Sequence, residues 1–454
     1  MSHKIKIKKG FNINLKGKAE KKIVESVQPE TFAIKPTDFQ KITRPKLLVD
    51  EGDTVKAGTP ILFDKLMDQV MFCSPVSGEV VEVKRGAKRK ILEIKILADK
   101  QVEYVEHKKI TVSDIAKLSR DDAQKQLLKN GAWPNIIQRP FGVIANPDDT
   151  PKAIFISTFD SHPLAPDYDL LFKDQEIYFQ AGIDILSKFT NGKVHLGLNG
   201  NADVSKVFAH TKNVEIHYFS GKHPSGNVGT HIHFIDPINK GDLVWTVNPY
   251  GVIQIGKLFL EGIFDCQKII ALAGSEVKTP QYYKTYSGAC INKFVENNLK
   301  SDNVRCISGN VLTGEKIGKE GYVGFYDHLV TVLPEGDKHE MFGWVLPTFK
   351  KLSYHKALGL MSFLTPNKEY ELNTNTNGEK RAFVQSGVFE KVTPLDILPT
   401  YLIKAIMAED YDEMEELGIY EVIEEDLALC EFIDVSKHDI QELLREGIDL
   451  IKNG

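Results

Sequence analysis

The chain has 454 residues, 42% of them apolar and 26% charged, and a formal net charge of −5. At roughly 100–200 residues per domain this length predicts two to four domains of ordinary folded composition. The slightly acidic balance lacks the basic face that replaces phosphate counterions, so nucleic acid is excluded as an expected partner.

The N-terminal run Lys4-Ile5-Lys6-Ile7-Lys8 alternates polar and apolar residues, which predicts a strand and not a signal peptide. Between residues 47 and 99, short Val/Ile-rich runs are separated by turn signals at Glu51-Gly52-Asp53, Lys56-Ala57-Gly58 and Pro75-Val76-Ser77-Gly78. This pattern resembles the biotinyl/lipoyl barrel-sandwich domain, in which a carrier lysine must project from a hairpin tip. Lys65 is the candidate, but it stands thirteen residues before Gly78 and lacks the carriers' flanking pattern, so the expectation is a carrier-like fold without carrier function. The basic cluster from Lys84 to Lys90 reads as a solvated hairpin tip.

Residues 112–131 place Ile115, Leu118, Ala123, Leu127 and Leu128 on one helical stripe that ends at Gly131. Strand, helix, strand, helix and strand patterns then follow to about residue 223, which predicts a parallel sheet covered by helices. From 242 onward a strand, a Pro-marked turn, a second strand and a helix suggest a small mixed module. From about 393 the chain is helical, with Thr393 and Ser436 as expected N-caps and Pro394 in the first helical position. The longest charge-free apolar segment, 243–256, is fourteen residues long and contains Pro249, short of the ~20 residues that span a bilayer. The five cysteines, Cys73, Cys266, Cys290, Cys306 and Cys430, show no Cys-x-x-Cys spacing, so no zinc ribbon, iron–sulfur cluster or disulfide framework is expected, and a reducing cytoplasm fits.

Two stretches carry candidate chemistry. In "SGKHPSGNVGTHIHFIDP", 220–237, a strand would point His231 and His233 the same way, and His223 could join them as metal ligands, although no Cys or Glu completes the set. Gly226 and Gly229 could present backbone N–H groups to an anion, but no G-x-G-x-x-G accompanies them. As a structural turn, Pro224, Gly226 and Gly229 shape a loop entering a strand, with Ile232 and Phe234 on one face and His231 and His233 on the other. The second stretch, "FDSHPLAPD", puts Phe159, Asp160 and His162 just after a strand, at the edge where open α/β sheets bind ligands. An Asp/His pair there suits proton-coupled chemistry, and equally an ordinary capped turn.

The element order, together with "HPSGNVGTHIHFIDP", "FDSHPLAPD", "SGNVLTG" at 308–314, "PLDILPT" at 394–400 and "EEDLALCEFID" at 424–434, resembles the family of A subunits of bacterial sodium-translocating NADH:quinone oxidoreductases. That family is similar to the C subunits of the Rnf complexes and to the flavin-bearing subunit of respiratory complex I. The resemblance implies a multidomain α/β and α+β fold: N-terminal strands and linker over 1–45, a lipoyl-like barrel sandwich over 46–104, a Rossmann-like degenerate flavin domain over 105–240, a ubiquitin-like β-grasp module of the soluble-ligand-binding type over 241–340, and a C-terminal linker and helical domain over 341–454. In the relatives a glycine-rich loop approaches a flavin phosphate. Here residues 131–147 offer only Gly131 and Gly142, with Trp133, Ile136, Ile137 and Phe141 expected to obstruct close approach. The relatives' cysteine quartets are reduced to Cys430.

The expected role is therefore that of a peripheral subunit on the cytoplasmic face of the bacterial inner membrane, with the membrane and peripheral subunits of the pump as partners. It would hold no tightly bound redox cofactor and no metal, and flavins and iron centres would sit in other subunits. Quinone is the expected substrate, with His223, Pro224, Gly226, Gly229, His231, His233, Phe159, Asp160 and His162 as candidate contacts. The rival role is a non-catalytic subunit that braces the assembly.

Overall fold

The computed structural model describes residues 3–453 except 41, 203, 338, 339, 344, 345, 347, 357–360, 385 and 386. Two small sheets form the barrel sandwich. Thr31–Ile34, Ile91–Ala98, Gly78–Arg85 and Thr54–Val55 make one, in that order, and Pro45–Leu47, Pro60–Asp64 and Met67–Cys73 make the other. Ile61, Leu62, Val70, Phe72, Val80, Ile94 and Ile96 are buried between them, as alternating strands with one apolar face require. Lys65 stands in the two-residue turn between Pro60–Asp64 and Met67–Cys73, exposed at the hairpin tip. The Asp64 carboxylate accepts N–H groups of Thr43, Arg44 and Leu66 and so fixes that turn.

The central layer is a seven-stranded sheet in the order His3–Ile7, Glu215–Gly221, Lys193–Asn199, Ala153–Ser157, Val244–Thr246, Ile137–Arg139, Val143–Ile144. The first five strands are parallel, and Ile137–Arg139 runs antiparallel to both of its neighbours. The N-terminal run forms the expected strand, but it pairs with residues more than two hundred positions away, with His3 opposite His217 and Ile7 opposite Gly221. Helices Glu176–Leu186 and Pro249–Leu260 pack tightly because glycines sit at the crossing. A Cβ at Gly182 would stand 2.0 Å from the Val252 carbonyl oxygen, and one at Gly256 would stand 1.9 Å from that of Tyr178.

Three local expectations are corrected. Residues 249–260, expected to contain a second strand, are a helix: the Asn248 side chain accepts the Gly251 N–H and Pro249 occupies the first turn, a start signal that overrides the apolar run. Residues 228–235, expected as a strand carrying His231 and His233 on one face, are the helix Val228–Ile235. A short apolar run fits either period, and here Ile232 packs with Phe155 and Val244 of the sheet. The single stripe over 112–131 is broken into Val112–Ile115 and Arg120–Lys129, because Ser119 caps the second helix by accepting the Asp122 N–H.

A six-stranded sheet follows, in the order Glu315–Ile317, Val304–Ser308, Leu329–Pro334, Gln267–Ala273, Gln281–Tyr286, Ile23–Val24. The C-terminal helices Pro399–Met407, Tyr411–Glu416, Glu424–Ile433 and Ile440–Asn453 share a core in which Leu402, Ile403, Ile406, Leu427, Leu444 and Ile448 are buried, while Leu398 is half exposed. Neither expected cap starts a helix. The second proline of the 394–400 stretch, Pro399, takes the first turn, while the Thr393 hydroxyl faces Cys430 Sγ at 3.3 Å and Ser436 Oγ donates to the Ala382 carbonyl. Among the described residues no helix is long and apolar enough to cross a membrane.

Candidate functional site

At the carboxyl end of Ala153–Ser157 the chain leaves the sheet, and the segments after it, before Val228–Ile235 and after Val244–Thr246 diverge around a cleft of about 330 Å³. Open α/β sheets leave room for ligands at this edge. Gly309, Asn310 and Thr313 from the six-stranded sheet's side, His328 beside them, and Ile423 and Glu425 at the start of a C-terminal helix complete the wall.

The two stretches with candidate chemistry meet here. Ser161 Oγ accepts the Gly226 N–H at 2.9 Å and faces His223 Nδ1 at 3.0 Å, while Ser157 Oγ donates to the Gly226 carbonyl at 2.8 Å. Phe159, Asp160, His162 and Gly226 line the cleft. His162 Nδ1 lies 2.6 Å from Asp160 Oδ1, and the His162 backbone N–H donates to the same oxygen at 2.7 Å. Burial works to raise the Asp160 carboxyl, but the charge and hydrogen bonds of His162 outweigh it and hold it below the usual carboxylate range. Burial likewise opposes charge on His162, and Asp160 overcomes it, so the imidazole stays protonated to higher pH than usual. His162 Nε2 is buried and has no hydrogen-bond partner among the described residues.

His223 packs beside this pair, its ring 4.4 Å from that of His162, and burial together with the charge of His162 keeps it well below the usual histidine range. Pro224 is buried next to it and is not among the residues that line the cleft. The remaining candidates lie elsewhere. His231 stacks on Phe219 at 3.8 Å and its Nε2 meets the Ser225 carbonyl, and burial drives it down to about 4. His233, on the far side of the same helix, reaches Glu421 at 2.9 Å and accepts the Asp396 N–H. On a helix two residues apart the two imidazoles diverge, so His223, His231 and His233 do not converge on an ion. Gly229 serves close packing: a Cβ there would stand 2.2 Å from Asp426 Oδ1 and 2.7 Å from Arg139 Nη1.

The residues around Gly229 form a buried ion cluster that local sequence does not signal. Arg139, 1% exposed, donates through Nη1 to Asp426 at 2.6 Å and through Nη2 to Glu425. Burial pushes the Glu425 carboxyl up, against the pull of Arg139. Arg139 belongs to the 131–147 stretch, where the glycines are the informative residues for a phosphate cradle, and Glu425 and Asp426 look like ordinary acidic residues at a helix start. Nothing local marks a partner 286 positions away. His328 is a further cleft residue without a sequence signal. Burial holds it down to about 3, and its Nε2 has no partner among the described residues. Of the bulky residues expected to block a phosphate, Ile137 fronts the cleft whereas Trp133 and Ile136 are packed away in the core.

Three family models match the chain: an NqrA N-terminal barrel-sandwich hybrid domain at 5–99, an NqrA second alpha/beta domain at 118–264 and an NQRA C-terminal domain at 269–319. The chain is 37% identical to the A subunit of the Na(+)-translocating NADH-quinone reductase of Alcanivorax borkumensis, over 99% of both chains. The A subunits of the same enzyme from Neisseria meningitidis and Serratia proteamaculans are each 36% identical, again over 99% of both chains. These relatives are parts of an oxidoreductase complex, and a likeness at this identity over the full length carries the resemblance of the quoted stretches through every layer of the fold. The chain belongs to the family of A subunits of Na(+)-translocating NADH-quinone reductase.

Proposed function

We propose that this chain is the peripheral, cytoplasmic-face subunit of a sodium pump that passes electrons from NADH to a quinone, and that the cleft beside Asp160 and His162 holds the quinone headgroup. The observation that carries this reading is the buried His162 Nε2, without a hydrogen-bond partner among the described residues, on a cleft-lining imidazole whose other nitrogen is held by Asp160. A quinone offers two carbonyl oxygens that accept hydrogen bonds and a ring that needs apolar cover. His162 supplies an imidazole hydrogen-bond donor, with Phe159, Ile137 and Val247 as cover. The volume lies within the ~300–1,000 Å³ usual for small-molecule sites.

In this reading the seven-stranded sheet is a Rossmann-like flavin domain whose ligand edge now serves quinone, and the six-stranded sheet is a ubiquitin-like module that closes the cleft. Flavins and iron centres belong to other subunits, and this chain keeps no redox cofactor. Its own residues orient the headgroup, and Asp160 fixes the imidazole so that Nε2–H can donate to a carbonyl oxygen as it gains negative charge.

The test is titration of the isolated protein with a soluble short-chain quinone, followed by calorimetry or tryptophan quenching. Saturable binding near one equivalent that His162→Ala weakens at least tenfold and His233→Ala leaves unchanged supports the site. Absence of saturable binding supports the rival role, in which the chain braces the membrane partners.

A further inference from the structure

A second cluster of ligand-type side chains lies on the edge half of the seven-stranded sheet, apart from the cleft. His195 is on Lys193–Asn199, and Glu215 and His217 are on the neighbouring Glu215–Gly221. The parallel register sets His195 opposite Glu215 and Gly197 opposite His217. Residues two apart on a strand share a face, and a register partner shares it too, so all three side chains project from the same side. His195 Nδ1 lies 3.1 Å from His217 Nε2 and 3.6 Å from a Glu215 carboxylate oxygen, and the three ligand atoms all stand within 4.8 Å of one another.

With zinc–nitrogen bonds of about 2.0–2.1 Å, donors on a tetrahedral ion stand about 3.3 Å apart. The His195 nitrogen is close to that spacing from both of its neighbours. Two imidazoles and one carboxylate are also a donor set that binds zinc and related divalent transition metals while leaving a coordination position open.

The rings are held in place before any ion arrives. His195 and His217 are 7% and 5% exposed, Phe155 stacks on His195 at 4.8 Å, and His3 of the edge strand stacks on His217 at 5.7 Å. As a purely internal network the cluster is incomplete, because His217 Nδ1 is buried with no hydrogen-bond partner among the described residues. Glu215 is the open side: its side chain is 43% exposed and is paired with the exposed Lys193, an ion pair that an incoming cation can displace at little cost.

We propose that His195, Glu215 and His217 form a binding site for one divalent transition-metal ion, with zinc the probe of choice. The site lies across the seam where two sheet strands meet and beside the N-terminal edge strand, so a bound ion would clamp that edge. It is independent of the quinone reading.

The experiment uses the full chain, stripped with a chelator, dialysed against a small excess of zinc and then against zinc-free buffer, and assayed by atomic emission, with affinity from competition against a fluorescent chelator. One zinc per chain is expected. Glu215→Gln, which keeps the shape of a half-exposed side chain, should weaken binding by about 100-fold or more, beyond the ~10–100-fold that changes behind the ligands typically cost. Lys193→Ala should tighten it several-fold by freeing the carboxylate, an effect that a merely structural cluster would not produce. Melting curves establish that both variants are folded. No zinc above background, or zinc that Glu215→Gln retains undiminished, overturns the proposal.

Discussion

His162 Nδ1 and Asp160 Oδ1 are 2.6 Å apart in a buried corner of the cleft, and each holds the other in its charged form against the cost of burial. A pair of this kind leaves a signature in pH dependence. The folded His162 titrates above its usual 6.5, so its contribution to stability is fully present below 6.5 and is lost as pH rises through the folded value. The folded Asp160 titrates below its usual 3.8, so its contribution is present above 3.8 and is lost as pH falls through the folded value. The pair therefore stabilises the fold most between those two reference values. Asp160→Asn should drop the His162 titration, read by NMR of the ring protons, below 6.5 and abolish this bell-shaped component of the stability profile.

Arg139 pairs with one buried carboxylate, Asp426, and one part-buried carboxylate, Glu425, at the start of a C-terminal helix. Arg139→Ala leaves the buried Asp426 and the part-buried Glu425 without a cation and should cost about 3–5 kcal/mol, seen as a fall in the denaturant midpoint. Glu425→Gln removes the more exposed carboxylate and keeps Asp426 as the ion partner, so its cost should be clearly smaller. Equal effects of the two substitutions would show that the cluster does not act through charge.

Gly256 is where the helix Pro249–Leu260 touches the backbone of Glu176–Leu186. Gly256→Ala gains helix propensity but forces the pair apart, and overpacking of this kind should cost about 1–3 kcal/mol. A rise in melting temperature on this substitution would show that the helices can separate freely.

Much of the architecture is legible in short-range patterns. The alternation of Val80, Ile94 and Ile96 with turn residues marks the barrel sandwich, and the Ala153–Ser157 run marks a central strand by its continuous apolar character. Where patterns are ambiguous they mislead. Eight residues around His231 fit a strand or a helix equally, and the difference decides whether His231 and His233 face together or apart.

For the site, position in the chain points to Phe159, Asp160 and His162 as residues at a strand's ligand-binding edge, while it makes Gly226 legible only as part of a Pro/Gly loop. It does not connect Arg139 with Glu425, or His195 with Glu215 and His217. Those groups are brought together by strand register and by docking of the C-terminal helices, and a contact between residues far apart in the chain leaves no local trace in either segment. The barrel-sandwich alternation and the loop that carries Asp160 and His162 follow from local patterns along the chain, whereas the place of the N-terminal strand in the seven-stranded sheet does not. Which charges are buried together follows from the packed fold alone, because burial and pairing depend on the final arrangement of every layer.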